Sequence, residues 1–179
     1  MAVSSEIIVG RYVKLKPVDK DDAEYTLAVR QDPQFTKYLP RVNNNIEQQK
    51  QWIESQRKKE GDYFFVVINN NNEKIGTIGV YGTDTIHPES GRLALKGNAY
   101  ENFEAALLMY DFAFDSLKLE TIYGEVYSDN IKAIRFNKQF GVEHIGTQIN
   151  DNGIEVIEVK ITKDRYNKYK EVIQRKIRL

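Results

Sequence analysis

The segment from residue 91 to residue 142 constrains this chain most, because strand and helix patterns alternate in it around one short polar loop. An apolar strand at residues 93 to 95 leads into a loop that contains Gly97 and Asn98, and the pattern predicts a helix that begins near Glu101. A helix that begins there points unpaired backbone N–H groups, and the positive end of its dipole, into the loop. The loop is therefore a candidate binding site for an anion such as a pyrophosphate.

The composition excludes several classes of protein. Lysine plus arginine number 26 and aspartate plus glutamate also number 26, so the chain lacks the basic excess that binding to a nucleic-acid backbone requires. Nucleic acid is not an expected partner. The absence of cysteine rules out disulfides and a thiol nucleophile, and with only two histidines, His87 and His144, no metal site is expected.

The length of 179 residues and the hydrophobic content of 41% fit one domain, and we expect residues 1–179 to form it, without linker or repeat. The N-terminus has no basic start followed by a long apolar core, and no apolar run approaches membrane-spanning length. We therefore expect a soluble, cytoplasmic protein with no membrane partner.

Hydrophobic periodicity in the first half predicts a strand, two helices and a hairpin. The strand alternates apolar and polar residues and stops at Pro17, which is typical of an edge strand. Four consecutive asparagines between the two strands of the hairpin favour a tight turn. The predicted elements are the edge strand at 7 to 18, helices at about 20 to 31 and 46 to 59, and the hairpin strands at 63 to 68 and 75 to 82.

The second half continues with a helix whose apolar residues are spaced four, three, four and three apart, which predicts a buried stripe. The stripe consists of Phe103, Leu107, Tyr110, Phe114 and Leu117. Strands at 122 to 127 and 155 to 161 enclose a short helix from Asn130 to about residue 139, and Gly141 follows that helix. The tail from Lys163 is predicted to be helical, with a solvated basic face.

Three stretches carry a resemblance that covers nearly the whole chain. They are VKLKPVDKDDAE at 13–24, LLMYDFAFDSLKLETIYGEVYSDNIKAI at 107–134, and FNKQFGVEHIGT at 136–147. In order and register they resemble the GCN5-related N-acetyltransferase (GNAT) family, especially its branch of ribosomal-protein and amino-sugar acetyltransferases. The resemblance implies an α+β fold: a central, twisted, mostly antiparallel sheet, flanked by helices and splayed at a V-shaped cofactor cleft.

The resemblance also implies an activity, the transfer of an acetyl group from acetyl-CoA to a primary amine. In that chemistry the amine attacks the thioester directly in a ternary complex, so the protein must position both reactants, stabilise the oxyanion and handle protons. Backbone N–H groups around Leu93, Ala94 and Leu95 would bind the pantetheine and the oxyanion. No covalent enzyme intermediate and no metal are needed. Family members often form homodimers, so a homodimer is an expectation here.

The phosphate loop departs from the family pattern of Gln or Arg, two residues, Gly, one residue, then Gly or Ala. Here the loop is KGNAYEN, in which the resemblance assigns cofactor binding to Lys96, Gly97, Asn98, Ala99 and Asn102. Alignment on Glu104-Ala105 places Asn98 and Tyr100 where small residues normally let the backbone approach phosphate oxygens. Either the loop has shifted and still cradles pyrophosphate with help from Lys96, or coenzyme binding has weakened. We expect the shifted loop.

The helix after the strand at 122 to 127 supplies the remaining cofactor contacts implied by the resemblance. Asn130 matches the family asparagine that reaches the pantetheine, although an asparagine before a helix is also a good N-cap. Arg135, Phe136 and Lys138 lie where family members contact the adenine and phosphates. The family tyrosine that protonates the thiolate is replaced by Asn137, which is a poor proton donor.

Candidate catalytic residues follow from this arrangement. Glu89 lies just before the cofactor strand, where related enzymes keep a glutamate that acts as general base through water. Tyr127, Tyr123 or a water could take the place of the missing acid, or the thiolate could leave unprotonated. His87 lies nearby and is a further candidate for proton transfer, because an imidazole can both donate and accept a proton, whereas His144 is expected to be structural.

The acceptor is the least determined part, because segments 32 to 46 and 81 to 90 have no diagnostic motif. We assign Tyr38, Tyr81 and His87 to substrate binding, with Arg41 also in this region. Aromatic groups with an arginine favour a nucleotide-linked amino sugar, and a protein N-terminus is the alternative acceptor. A non-catalytic ligand-binding module is a further alternative, because it accounts for both the altered loop and the missing tyrosine.

Overall fold

The computed structural model describes residues 6–38 and 43–179. Eight strands lie in the described part: β1 Ile8–Val9, β2 Val13–Pro17, β3 Tyr63–Asn69, β4 Lys74–Tyr81, β5 Glu89–Leu95, β6 Thr121–Tyr127, β7 Glu143–Ile149 and β8 Glu155–Thr162. The helices are α1 Ala23–Gln31, α2 Pro33–Thr36, α3 Ile46–Lys58, α4 Ala99–Asp111, α5 Ile131–Gln139 and α6 Lys163–Lys176. A 3₁₀ turn at Lys20–Asp22 precedes α1, and a π-helical turn at Phe112–Ser116 follows α4.

The strands form one sheet in the order β1-β2-β3-β4-β5-β6-β8-β7. Each neighbouring pair is antiparallel except β5 and β6, which are parallel. This mixed α and β architecture, with a mostly antiparallel sheet flanked by helices, confirms the predicted fold class.

The sheet opens between its two parallel strands. β5 and β6 are in ladder register only at Glu89 and Tyr123, next to a hydrogen bond of 2.8 Å from the Tyr123 N–H to the Pro88 carbonyl. Beyond that point β5 stays paired with β4, and β6 stays paired with β8 along its whole length. The two halves of the sheet therefore diverge and leave a V-shaped cleft.

The predicted edge strand at 7 to 18 is wrong in one respect, because the chain turns back within it. Residues 10 to 12 reverse direction, so β1 is the sheet edge and β2 lies inside, paired with both β1 and β3. The turn is held by the buried carboxylate of Glu104 on α4, which accepts the N–H groups of Arg11, Tyr12 and Val13 at 2.7, 2.6 and 2.8 Å. A side chain 91 to 93 residues away thus determines the turn.

Two cores cover the two faces of the sheet. On one face α4 and α6 pack over β2, β3, β4 and β6, with Leu107, Tyr110 and Phe114 of the predicted stripe buried. On the other face α1 and α3 pack over Phe64, Val66 and Ile68 of β3. Among the helices described, none is long and apolar enough to cross a membrane.

We predict that Glu104→Gln lowers the free energy of unfolding by about 3 kcal/mol, because an amide group would then face N–H donors in a buried position. Urea titration followed by circular dichroism measures this. Glu171→Gln, at an exposed carboxylate on α6, serves as the control and should change stability by less than about 0.5 kcal/mol. Equal stability of the two variants would contradict the assignment of Glu104 as the anchor of the β1–β2 turn.

Candidate active site

A β-bulge shapes β5 where it borders the cleft. Between the pairs Thr77–Ala94 and Gly79–Gly91, two β5 residues, Arg92 and Leu93, oppose a single residue of β4. Arg92 takes a left-handed backbone conformation with φ of 52°, which is uncommon for a residue other than glycine. The Thr77 hydroxyl donates a 2.7 Å hydrogen bond to the Arg92 carbonyl and stabilises the bulge.

The Arg92 side chain explains how the bulge tolerates that conformation. Its guanidinium pairs with both carboxylate oxygens of buried Asp62, at 2.5 and 3.0 Å. It also lies 4.6 to 5.2 Å from the ring centres of Trp52, Phe64 and Tyr81. A bidentate ion pair enclosed by three rings fixes the strand on the α3 side of the sheet.

In the predicted cofactor strand, the side chains pack against the core, while some backbone N–H groups face the cleft. Ala94 is fully buried, and the half-buried Leu93 and Leu95 pack against the core. The Lys96 N–H donates to the Ile75 carbonyl on the β4 side at 2.8 Å. Backbone alternation then directs the N–H groups of Leu95 and Leu93 toward the opposite edge, which borders the cleft.

The loop after β5 ends in a reciprocal cap. The helix begins at Ala99, two residues before the predicted start, with Asn98 as N-cap. The Asn98 side chain accepts the Glu101 N–H at 2.9 Å, and the Glu101 carboxylate accepts the Asn98 N–H at 2.8 Å. Among the described residues, the N–H groups of Gly97, Ala99 and Tyr100 have no acceptor, so the helix N-terminus still offers donors to an anion.

The cap also places a negative charge in the predicted anion site. The Glu101 carboxylate packs so closely on Gly97 that a Cβ at residue 97 would lie 2.6 Å from it. A phosphate that binds the Asn98 N–H must displace this carboxylate, and any phosphate nearby is repelled by it. Glu101 is therefore a residue that sequence reasoning missed, although Asn98-x-x-Glu101 has the spacing of a capping box.

Two other loop residues have partners within the protein. The Lys96 ammonium lies 2.5 Å from the Asp32 carboxylate at the end of α1, and this hydrogen bond lowers the pKa of Asp32. The Asn102 amide donates to the Gly97 carbonyl at 3.0 Å, while its buried Oδ1 has no partner among the described residues. The Lys96 ammonium has two further N–H groups for a phosphate, although Asp32 already offsets its charge.

The residues of α5 that were predicted to contact the coenzyme differ in their burial and partners. Asn130 is the N-cap of α5 and accepts the Ala133 N–H at 3.2 Å. Phe136 is partly buried and stacks on Phe103 of α4 with ring centres 5.3 Å apart. Arg135 and Lys138 are exposed, so both cations are accessible to a bound anion.

The predicted catalytic and acceptor residues meet around β5 and β6. Glu89 is the ladder partner of Tyr81 on β4 and of Tyr123 on β6. His87 stacks on Tyr123 with ring centres 4.0 Å apart, and its Nε2 lies 3.8 Å from Oε1 of Glu89. Burial first, and then the charge of Glu89, raise the pKa of Tyr81, so its hydroxyl stays protonated near neutral pH.

The Tyr81 hydroxyl lies over Gly91, where a Cβ would come within 2.4 Å of it. Tyr127 lies farther along β6 and makes an edge contact with Tyr38 at 5.9 Å between ring centres, beside the ion pair of Lys37 and Asp129. The structure thus brings Tyr81, His87 and Glu89 together and places Tyr127 with Tyr38 separately. Arg41 lies outside the described residues.

The family follows from a sequence comparison. The model of the Acetyltransferase (GNAT) domain family matches residues 13–143, well over half of the chain, so this protein belongs to the GNAT acetyltransferases. None of the curated proteins matches the sequence significantly.

Solved structures share the fold. A GCN5-related N-acetyltransferase from Brucella melitensis superposes with a TM-score of 0.79 at 18% identity, covering 99% of this chain and 87% of that one. Apo FdhC, described as a nucleotide-linked sugar GNAT, gives 0.77 at 23% identity with 98% of both chains covered. The spermidine N-acetyltransferase from Vibrio cholerae, in complex with CoA and spermine, gives 0.77 at 17% identity, with 87% and 98% covered.

We predict that Glu101→Gln binds acetyl-CoA about tenfold more tightly than the wild type, because glutamine keeps the cap but removes the charge beside the diphosphate. Isothermal titration calorimetry measures the affinity. The control Glu171→Gln removes a remote exposed carboxylate and should leave it unchanged. Equal or weaker binding by Glu101→Gln would show that the carboxylate does not oppose the coenzyme.

Proposed function

We propose that the chain, as a single domain, transfers an acetyl group from acetyl-CoA to a primary amine by direct attack in a ternary complex. The observation that carries this proposal is the opening between β5 and β6. Donor groups of the α4 N-terminus and β5 lie along one side of the opening, and Glu89 lies where the two strands join. The chain thus has separate places for a thioester and an amine.

The residues along the cleft fit coenzyme A, except for the carboxylate of Glu101. N–H groups at Gly97, Ala99 and Tyr100 would hold the diphosphate, joined by that of Asn98 once Glu101 turns away, and the cleft-facing N–H groups of β5 would hold the pantetheine and the thioester oxygen. Acetyl-CoA, when bound, supplies the activated acetyl thioester. The exposed cations of α5, Arg135 and Lys138, would contact the adenine and phosphate end of the coenzyme.

On the acceptor side, Glu89 is the general base of the proposal. Its side chain is 39% exposed, so a water can relay a proton from the amine to it. The protonated hydroxyl of Tyr81 lies next to Glu89 and can orient the amine or that water. His87 holds the ring of Tyr123 parallel to its own and borders the same carboxylate.

Protonation of the departing thiolate places a smaller demand on the protein than removal of the proton from the amine. Asn137 replaces the family tyrosine and cannot supply a proton in the same way. Tyr127 is the assigned acid of the proposal, and its ring is positioned by contact with Tyr38. A thiolate with a pKa of about 8 to 9 can also leave without protonation, which lowers the demand on any acid.

For the acceptor, a nucleotide-linked amino sugar is favoured over a protein N-terminus. The likeness to FdhC along 98% of both chains supports this choice. The likeness to the spermidine enzyme supports a small-molecule amine in general.

A second candidate function, a non-catalytic ligand-binding module, is favoured by one observation. The Glu101 carboxylate occupies the Asn98 N–H in the predicted diphosphate loop. A protein that no longer binds coenzyme A has no need to keep that donor available.

The test is acetylation of a panel of amino-sugar nucleotides, polyamines and peptides, followed by mass spectrometry of the product and release of free thiol. We predict product with wild type and a kcat about 100-fold lower in Glu89→Gln, because the base is lost. The affinity for acetyl-CoA should not change in that variant. Glu120→Gln, an exposed carboxylate just before β6, is the matched control.

Two results would overturn the proposal. No saturable binding of acetyl-CoA, together with no product from any amine, would favour the binding module. Unchanged kcat in Glu89→Gln would remove that residue from the base role.

A further inference from the structure

A pocket between α1 and α3 lies on the same sheet face as Arg92. Its walls are Thr26 and Arg30 on α1, and Gln49 and Trp52 on α3, with Phe64 as its floor. The Trp52 ring is 40% exposed and meets Phe64 edge to face at 5.8 Å between ring centres. The pocket therefore has a fixed aromatic floor and polar walls.

The walls are rich in hydrogen-bond donors. Asn43 donates to Gln48 at 2.9 Å, and Gln49 donates to Thr26 at 2.9 Å, so each of these two amide NH₂ groups has a second N–H available for another partner. The Arg30 guanidinium adds five N–H groups, enough for more than one partner. Among the described residues that line the pocket, none is a carboxylate.

A second guanidinium, that of Arg92, lies close to the pocket. Arg92 lies under Trp52 and pairs with Asp62, and the guanidinium of Arg30 forms part of the pocket wall. Burial, and then repulsion from Arg92, lower the pKa of Arg30. A guanidinium stays charged in a protein, so Arg30 presents a positive charge to the pocket.

The pocket connects to the proposed reaction centre through Tyr81. The Tyr81 ring packs 4.6 Å from the Arg92 guanidinium, and its phenol interacts electrostatically with both Arg30 and Glu89. Glu89 and Tyr81 are direct ladder partners. Tyr81 therefore links Glu89 to the arginines on this face of the sheet.

We propose that this pocket binds the anionic end of the acceptor, so that the acceptor is an amine carrying a phosphate and not a polyamine. The acceptor role of the pocket rests on the proposed acetyl transfer. A second ammonium group would meet Arg30 and a wall of donors, whereas phosphate oxygens accept from the guanidinium and the amides together. Arg30 thereby determines specificity.

Trp52 is the one tryptophan of the chain, so its fluorescence reports on the pocket without any acetyl transfer. Wild-type protein is titrated with glucosamine 1-phosphate, glucosamine and spermidine in the absence of acetyl-CoA. We predict a saturable change with glucosamine 1-phosphate, and at least about tenfold weaker binding of the other two probes. Acetyl-CoA added afterwards, with product measured, tests acetyl transfer separately.

Substitutions at Arg30 test whether this residue binds the phosphate group. Arg30→Gln should weaken glucosamine 1-phosphate about tenfold, and Arg30→Lys, which keeps the charge but not the fork, should weaken it less. Lys58→Gln, an exposed cation on α3, should not change it, and thermal melts confirm that each variant is folded. Equal affinity for glucosamine and its phosphate, or wild-type affinity in a folded Arg30→Gln, would overturn the proposal even if acetyl transfer is found. Saturable phosphate-dependent fluorescence that requires Arg30 would support the pocket even if no product forms.

Discussion

The separation of β5 from β6 is the feature on which the rest of the structure depends. The two strands are held together at one point, Glu89 and Tyr123, and each then follows its other neighbour. Parallel strands that diverge leave backbone N–H groups without a strand partner, and these can bind a ligand in place of another strand. The same junction places a carboxylate at the apex of the cleft, so the geometry that opens the sheet also positions the proposed base.

Stability and ligand binding compete at the start of α4. The capping box of Asn98 and Glu101 satisfies two backbone N–H groups that a helix otherwise leaves unpaired. The same contacts bring a carboxylate to the place where a diphosphate would bind, so a phosphate can reach the Asn98 N–H only after one cap hydrogen bond breaks. The capping box thus stabilises the loop of this chain without a bound ligand.

Local patterns predicted most of the fold. The helical stripe of α4, the Asn-rich hairpin of β3 and β4, and the bounds of α3 follow from periodicity and turn chemistry, which act over a few residues. The turn within residues 7 to 18 could not be predicted in that way, because its N–H groups bind Glu104, far away in the chain. The left-handed Arg92 and its pairing with Asp62 depend on tertiary packing in the same sense. Of the candidate site, the roles of β5 in cofactor binding and of Glu89 as base come from the resemblance and stay predictions. The Glu101 cap and the Arg30 pocket appear only once α1, α3 and the loop are packed.

A crystal structure of the protein with coenzyme A would test the proposed coenzyme site between β5 and β6. We expect the pantetheine between β5 and β6, and the Glu101 carboxylate turned out of the loop. The diphosphate oxygens should accept the N–H groups of Gly97, Asn98, Ala99 and Tyr100. Coenzyme A bound elsewhere, or bound in the cleft with the hydrogen bond between Glu101 and Asn98 intact and no diphosphate at the α4 N-terminus, would contradict it.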